Sequence, residues 1–177
     1  MPIHTPLIAL AIVGGIAACG SDRPPADASQ PADTTWVVSA KAFGPLQVGM
    51  TRAQAEAALG TSLAIAGDSD WMNCGYIPTS HLPGGTRVMV EGGTIARVEV
   101  DSGTVATADG AKVGDSEDRI RTLYPKVVSA PQKYTQGHDL TVTPDSQSAL
   151  VFETDGSRVT RYRAGRLPPV GYVEGCG

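Results

Sequence analysis

Val48-Gly49-Met50-Thr51-Arg52 and, about 65 residues later, Val113-Gly114-Asp115-Ser116-Glu117 are the stretches from which the fold can be read. In both, a glycine is followed two residues on by Thr or Ser. A small hydroxyl side chain accepts from a free N–H of the next turn, so Thr51 and Ser116 read as N-caps. A helix of about ten residues is expected after each. Ala55, Ala58 and Leu59 share one face of the first helix, and Ile120, Leu123 and Tyr124 form the matching stripe of the second. Gly60 is placed to end the first as a left-handed cap, and Pro125 stops the second.

Beyond each helix the apolar period changes to that of strands. Arg87–Val90 and Thr94–Val100 flank the turn Glu91-Gly92-Gly93, a hairpin signal. Leu150–Glu153 and Arg158–Arg163 flank Thr154-Asp155-Gly156 in the same way. Each copy has one further strand candidate before its hairpin, Asn73–Ile77 and Leu140–Thr143, and Gly171–Cys176 reads as a closing edge strand. A unit of one helix and three antiparallel strands holds too little core alone, so two are expected to share one. The expected product is a single α+β domain over residues 36–177, in two repeats of about 42–103 and 104–177, with helices packed on an antiparallel sheet.

The opening Gly44, Gly49, Met50, Thr51, with a short helix closing on Leu59-Gly60, resembles the repeat of small envelope lipoproteins of the BamE/SmpA type. It is also similar to the tandem-repeat β-lactamase inhibitor protein. The resemblance implies the doubled architecture and a binding role. The second copy has Asp115 where the first has Met50, and the aromatic-rich face of the inhibitors has no counterpart, so inhibition of a β-lactamase is not implied.

The start of the chain has a different character. Pro6–Ala18 is apolar throughout, shorter than the roughly 20 residues of a membrane span and matched to a signal-peptide core. Its end, Ile16-Ala17-Ala18-Cys19, resembles the lipobox of bacterial lipoproteins, which implies cleavage before Cys19 and lipid on that cysteine. No Lys or Arg precedes the run. Two or more acyl chains make such an anchor stable. By the same resemblance, Gly20 rather than Asp after the cysteine favours the outer membrane. Residues 1–18 are thus expected to be a signal peptide and 19–35 a flexible tether, since Gly20–Thr35 has three prolines and no large apolar residue.

Export would place Cys74 and Cys176 in an oxidising compartment, where a disulfide is the default. A metal pair is the alternative, although neither cysteine has a second Cys or His at ligand spacing; reactive thiols are a third.

The net charge of -4 and pI near 5.3 supply no basic field for nucleic acid. No nucleophile elbow, zinc-protease motif or phosphate-binding glycine loop occurs. His81 falls in a loop, and His138 precedes Asp139, whose side chain should point to the other face of a strand. Trp71 and Tyr76 flank Cys74 and are expected to pack around the disulfide. Arg158, Arg161, Arg163 and Arg166 cluster, with Arg161 and Arg163 on one strand face and Glu153 in reach. They read either as a cross-strand ion-pair ladder or, with Tyr134 and His138, as an anion- or partner-binding patch. The expectation is a membrane-anchored envelope lipoprotein that binds another protein, without catalytic residues, cofactor or metal. The alternative is a small secreted hydrolase, or a small-ligand or anion-binding protein, with a loop site near His138.

Overall fold

The computed structural model describes Met1 and residues 35–63 and 71–176. The chain divides into two compact units, Met1–Ala32 and Asp33–Gly177, and the description that follows is of the second. Cys19 and the apolar run before it lie outside the described residues. Among the described residues no helix is long and apolar enough to cross a membrane.

The fold is mixed α+β. Strands β1 (Val37–Val38), β2 (Ala42–Phe43) and β3 (Leu46–Gln47) precede helix α1 (Arg52–Leu59). Then come β4 (Cys74–Tyr76), β5 (Thr86–Glu91), β6 (Thr94–Val100) and β7 (Ala106–Thr107). Helix α2 (Glu117–Leu123) follows, then β8 (Val128–Pro131), β9 (His138–Val142), β10 (Ser148–Thr154) and β11 (Val159–Arg166). Seven strands form an antiparallel sheet in the order β4-β5-β6-β11-β10-β9-β8. A smaller sheet runs β3-β2-β1-β7, with β1 and β7 parallel.

Both helices start where their caps stand. Thr51 Oγ1 accepts from Gln54 N while Gln54 Oε1 accepts from Thr51 N at 2.9 Å, a reciprocal capping box. Ser116 Oγ accepts from Arg119 N at 3.2 Å. Gly60 closes α1 at φ +64. The helices are shorter than expected, eight and seven residues, and Tyr124 is the cap of α2 rather than part of its last turn. Gly44 turns at φ +54 beneath Trp36, where a Cβ would stand 2.8 Å from the indole.

Each cap segment is stitched to the start of its hairpin's second strand. Gly49 N–H donates to Ile95 O and Ile95 N–H to Met50 O, at 2.8 and 2.9 Å. Gly114 N–H donates to Val159 O and Val159 N–H to Asp115 O, at 2.9 and 2.8 Å. The hairpins slip register at corresponding places, between Met89 and Val90 and between Glu153 and Thr154. Where β6 meets β11, Val98 faces Ala164, Glu99 faces Arg163 and Val100 faces Tyr162.

One face of the large sheet carries Val88, Val90, Val98, Leu150, Phe152 and Tyr162 into a core shared with Ala55 of α1, Ile120 of α2 and Phe43 and Leu46 of the small sheet. Burying each large apolar side chain is worth roughly 1.5–3 kcal/mol, so this face fixes which way every strand alternates. Trp71 belongs to the same core and donates from Nε1 to Gly93 O at 2.7 Å.

The opposite face is crossed by the C-terminal segment. Gly171–Cys176 is not an edge strand: it follows the 3₁₀ turn Pro169–Gly171 as a strap over the sheet, joined to β4 by the disulfide Cys74–Cys176. Val170 is buried against Ala149 and Val151. Arg97 Nη1 donates to Pro169 O and Tyr172 O, at 2.7 and 2.5 Å, and Arg163 Nη1 donates to Tyr172 O at 2.8 Å. Arginine side chains satisfy these carbonyls, so the segment has no need of strand pairing. The edge opposite β4 is instead β8, whose four residues are all exposed.

Candidate functional site

The polar residues singled out in the sequence fall into three places. On the strap side of the sheet, Arg161 Nε and Arg163 Nη2 lie 2.7 and 3.1 Å from the two oxygens of Glu153. Arg163 and Glu153 are only 2% and 3% exposed, so this is an ion-pair ladder under the strap and not on a solvated face. Beside it, Glu99 takes Arg97 at 2.6 Å, Arg87 at 2.7 Å and the Tyr76 hydroxyl at 2.8 Å. Burial pushes the Glu99 carboxyl up, but the Arg97 charge and the Tyr76 bond hold it below its ordinary value. Asp139 faces Glu153 across β9 and β10, and burial together with that neighbouring charge raises its pKa. Arg158 and Arg166 lie apart, donating to Gly114 O and to Glu91.

His138 shares the face of Leu140, which is in the core, and so points away from Arg161 and Arg163. Its Nδ1 lies 2.7 Å from Glu117 Oε1; a carboxylate only accepts, so the ring proton faces Glu117. Thr154 Oγ1 donates to the same oxygen at 2.5 Å. Burial raises the Glu117 pKa, and the bonds from Thr154 and His138 outweigh it, leaving the carboxyl below its ordinary value. The trio pins the first turn of α2 to β9 and β10. Tyr134 is at a third place: its hydroxyl donates to Glu174 of the strap, and the Lys133 ammonium stands 4.7 Å from its ring centre. The expected patch of Tyr134, His138, Arg161 and Arg163 is therefore not one surface, because strand alternation separates the histidine from the arginines. Among the described residues no cluster of three or more His, Cys, Asp or Glu could hold a metal ion.

A different place is concave. A cleft of about 510 Å³ opens between the β1–β2 turn, the residues after β7 and the β9–β10 loop. Val38, Ala40, Tyr124, Val142 and Leu150 line it. Lys41 crosses its mouth to Asp145 at 2.7 Å, and Asp109 stands on the rim. Asp145 is held by its own loop, accepting from Gln147 N, Ser148 N and Ser148 Oγ at 2.8, 2.9 and 3.0 Å. The Tyr124 hydroxyl is bonded to Thr107 at 2.7 Å. Burial pushes its pKa up to about 12, with the Thr107 bond opposing and the Asp109 charge assisting. The aromatic wall is thus uncharged at any physiological pH. Sequence reasoning missed this site because its walls come from segments far apart in the chain, none with a motif.

No family model matches the chain, and no curated protein matches it. Among solved structures, it is similar to the uncharacterized protein yfeY from Escherichia coli, with 11% sequence identity and a TM-score of 0.44 over 73% of this chain and 99% of that one.

Proposed function

We propose that this chain is a lipoprotein of the bacterial cell envelope, cut before Cys19 and anchored by lipid on that cysteine, on the periplasmic side of the outer membrane. Its folded part is a non-enzymatic interaction module whose partner is another envelope protein. The observation that carries this reading is the apolar run Pro6–Ala18 ending in Ile16-Ala17-Ala18-Cys19, and the disulfide between Cys74 and Cys176 is in keeping with it. The disulfide is the state expected of cysteines in an exported protein, and it leaves Cys19 as the remaining one of three. A binding role is supported by the condition of the polar residues: His138, Glu117, Arg161, Arg163 and Glu153 are spent on one another, as pins and ladders inside the fold.

We infer further that the module is a tandem duplication of a helix-plus-three-strand unit. The paired cap-to-hairpin bonds, the register slips at corresponding places and the facing of Val98 with Ala164 and Val100 with Tyr162 support it. An offset of 64 carries Val98 to Tyr162 and Val100 to Ala164, so the pairing maps onto itself about the Glu99–Arg163 pair.

The test combines fractionation with in-cell crosslinking of the tagged protein, using Cys19→Ser as control. The wild type should carry an acyl label, sediment with membranes and capture one dominant envelope protein. A Cys19→Ser product of mature size that still sediments with membranes would refute the anchor, and the absence of any captured partner would refute the module.

A further inference from the structure

We propose that the cleft between the β1–β2 turn and the β9–β10 loop binds a small amphiphile with an apolar body and a cationic head. This goes beyond the anchored-module reading and does not rest on it. At about 510 Å³ the cleft falls within the roughly 300–1,000 Å³ of small-molecule sites. It is a recess rather than a flat face, confined by two turns and bridged at its mouth by Lys41 and Asp145. A protein surface would reach into it with no more than a side chain, whereas a small molecule can fill it.

The wall selects an apolar body. Val38, Ala40, Tyr124 and Leu150 are buried, Val142 is half-buried, and the one hydroxyl among them is already bonded to Thr107. The mouth selects the head. Lys41 neutralises Asp145, whose oxygens are further occupied by three bonds from its own loop. Asp109 is exposed on the rim and, among the described residues, no cation is paired to it, so the described mouth has a net negative charge. An anionic head would meet Asp109 and would have to displace Asp145 from Lys41. A cationic head meets Asp109 with no ion pair to break among the described residues.

The probe is decyltrimethylammonium, kept below the concentration at which it forms micelles and titrated into the full chain bearing Cys19→Ser. Calorimetry reads the affinity, and methyl NMR of Val38, Val142 and Leu150 reads the place. Saturable one-to-one binding with shifts confined to these methyls is expected, with decyl sulfate binding more weakly. Asp109→Asn should weaken the ammonium about two- to fivefold, the scale of an exposed charge pair. Lys41→Gln should strengthen it by a similar factor, because it uncovers Asp145. Ala40→Trp, which fills the cleft, should abolish binding; should that variant not fold, the opposite signs of Asp109→Asn and Lys41→Gln still carry the test. No saturable binding, shifts at other methyls, equal affinity for ammonium and sulfate, or a preference for sulfate would each overturn the proposal.

Discussion

In the first half of the domain the N–H of Gln47 ends on the thioether of Met50, at 3.3 Å; in the second the N–H of Lys112 ends on the carboxylate of Asp115, at 3.0 Å. Both contacts close the turn that leads into a helix cap. The sulfur is a weak acceptor with an apolar body, so Met50 also packs against the core. The carboxylate gathers charge, taking the Lys112 ammonium at 3.4 Å and Arg119 Nε at 3.1 Å. The difference shows that the turn requires an acceptor at this point, while the surroundings decide whether it is an apolar or an ionic one. It also makes this turn sensitive to acid in the second half only. Burial pushes the Asp115 pKa up, but the Lys112 N–H and the Arg119 and Lys112 side chains hold it below its ordinary value.

The largest effect should come from the bond that joins the halves. Cys74→Ser with Cys176→Ser opens a loop spanning 102 residues and should cost up to about 4–5 kcal/mol by the chain-entropy argument, read by urea unfolding. A loss under about 1 kcal/mol would mean that the arginine bonds alone hold the strap.

Next come the buried ion pairs. Arg163→Met leaves Glu153 with only the half-exposed Arg161 and the Tyr172 carbonyl with only Arg97, and should cost about 3–5 kcal/mol. Adding Glu153→Gln should recover a large part of the loss. If the double variant is no more stable than the single one, the ladder is not a unit.

The contrast between Met50 and Asp115 can be tested with pH. Asp115 and Glu117 both have folded pKa values below their ordinary ones, so their contribution is complete above pH ~5 and is lost as pH falls through the folded values. Asp115→Asn should flatten the loss of stability as pH falls below about 5, while Met50→Leu should leave that slope unchanged. Equal slopes in both variants would remove the distinction between the halves.

The smallest effects belong to the caps. Thr51→Ala and Ser116→Ala should each cost about 1 kcal/mol, with Thr51 the larger because Gln54 completes its capping box. Hydrogen exchange in α1 and α2 would show whether each loss stays in its own half.

Much of this was legible in the sequence, for a local reason. Thr51, Ser116 and Gly60 act within one turn of chain, and the β5–β6 and β10–β11 hairpins show their alternation over a few residues. The four two-residue strands were not legible, because a pair of residues has no period. The strap reads as a strand in the sequence because Tyr172 and Val173 look alike whether the backbone pairs with a neighbour or is bonded by arginines.

By itself, then, the sequence determined the capped helices and the two main hairpins, and put Glu153 within reach of Arg161 and Arg163, all set by dihedral preference and alternation over short spans. Only the tertiary structure decided that Arg97 and Arg163 hold the C-terminal strap, that His138 faces away from the arginines, and that the cleft at Tyr124 exists. Those features depend on which surfaces meet across the sheet, and that follows from burying one face of seven strands at once.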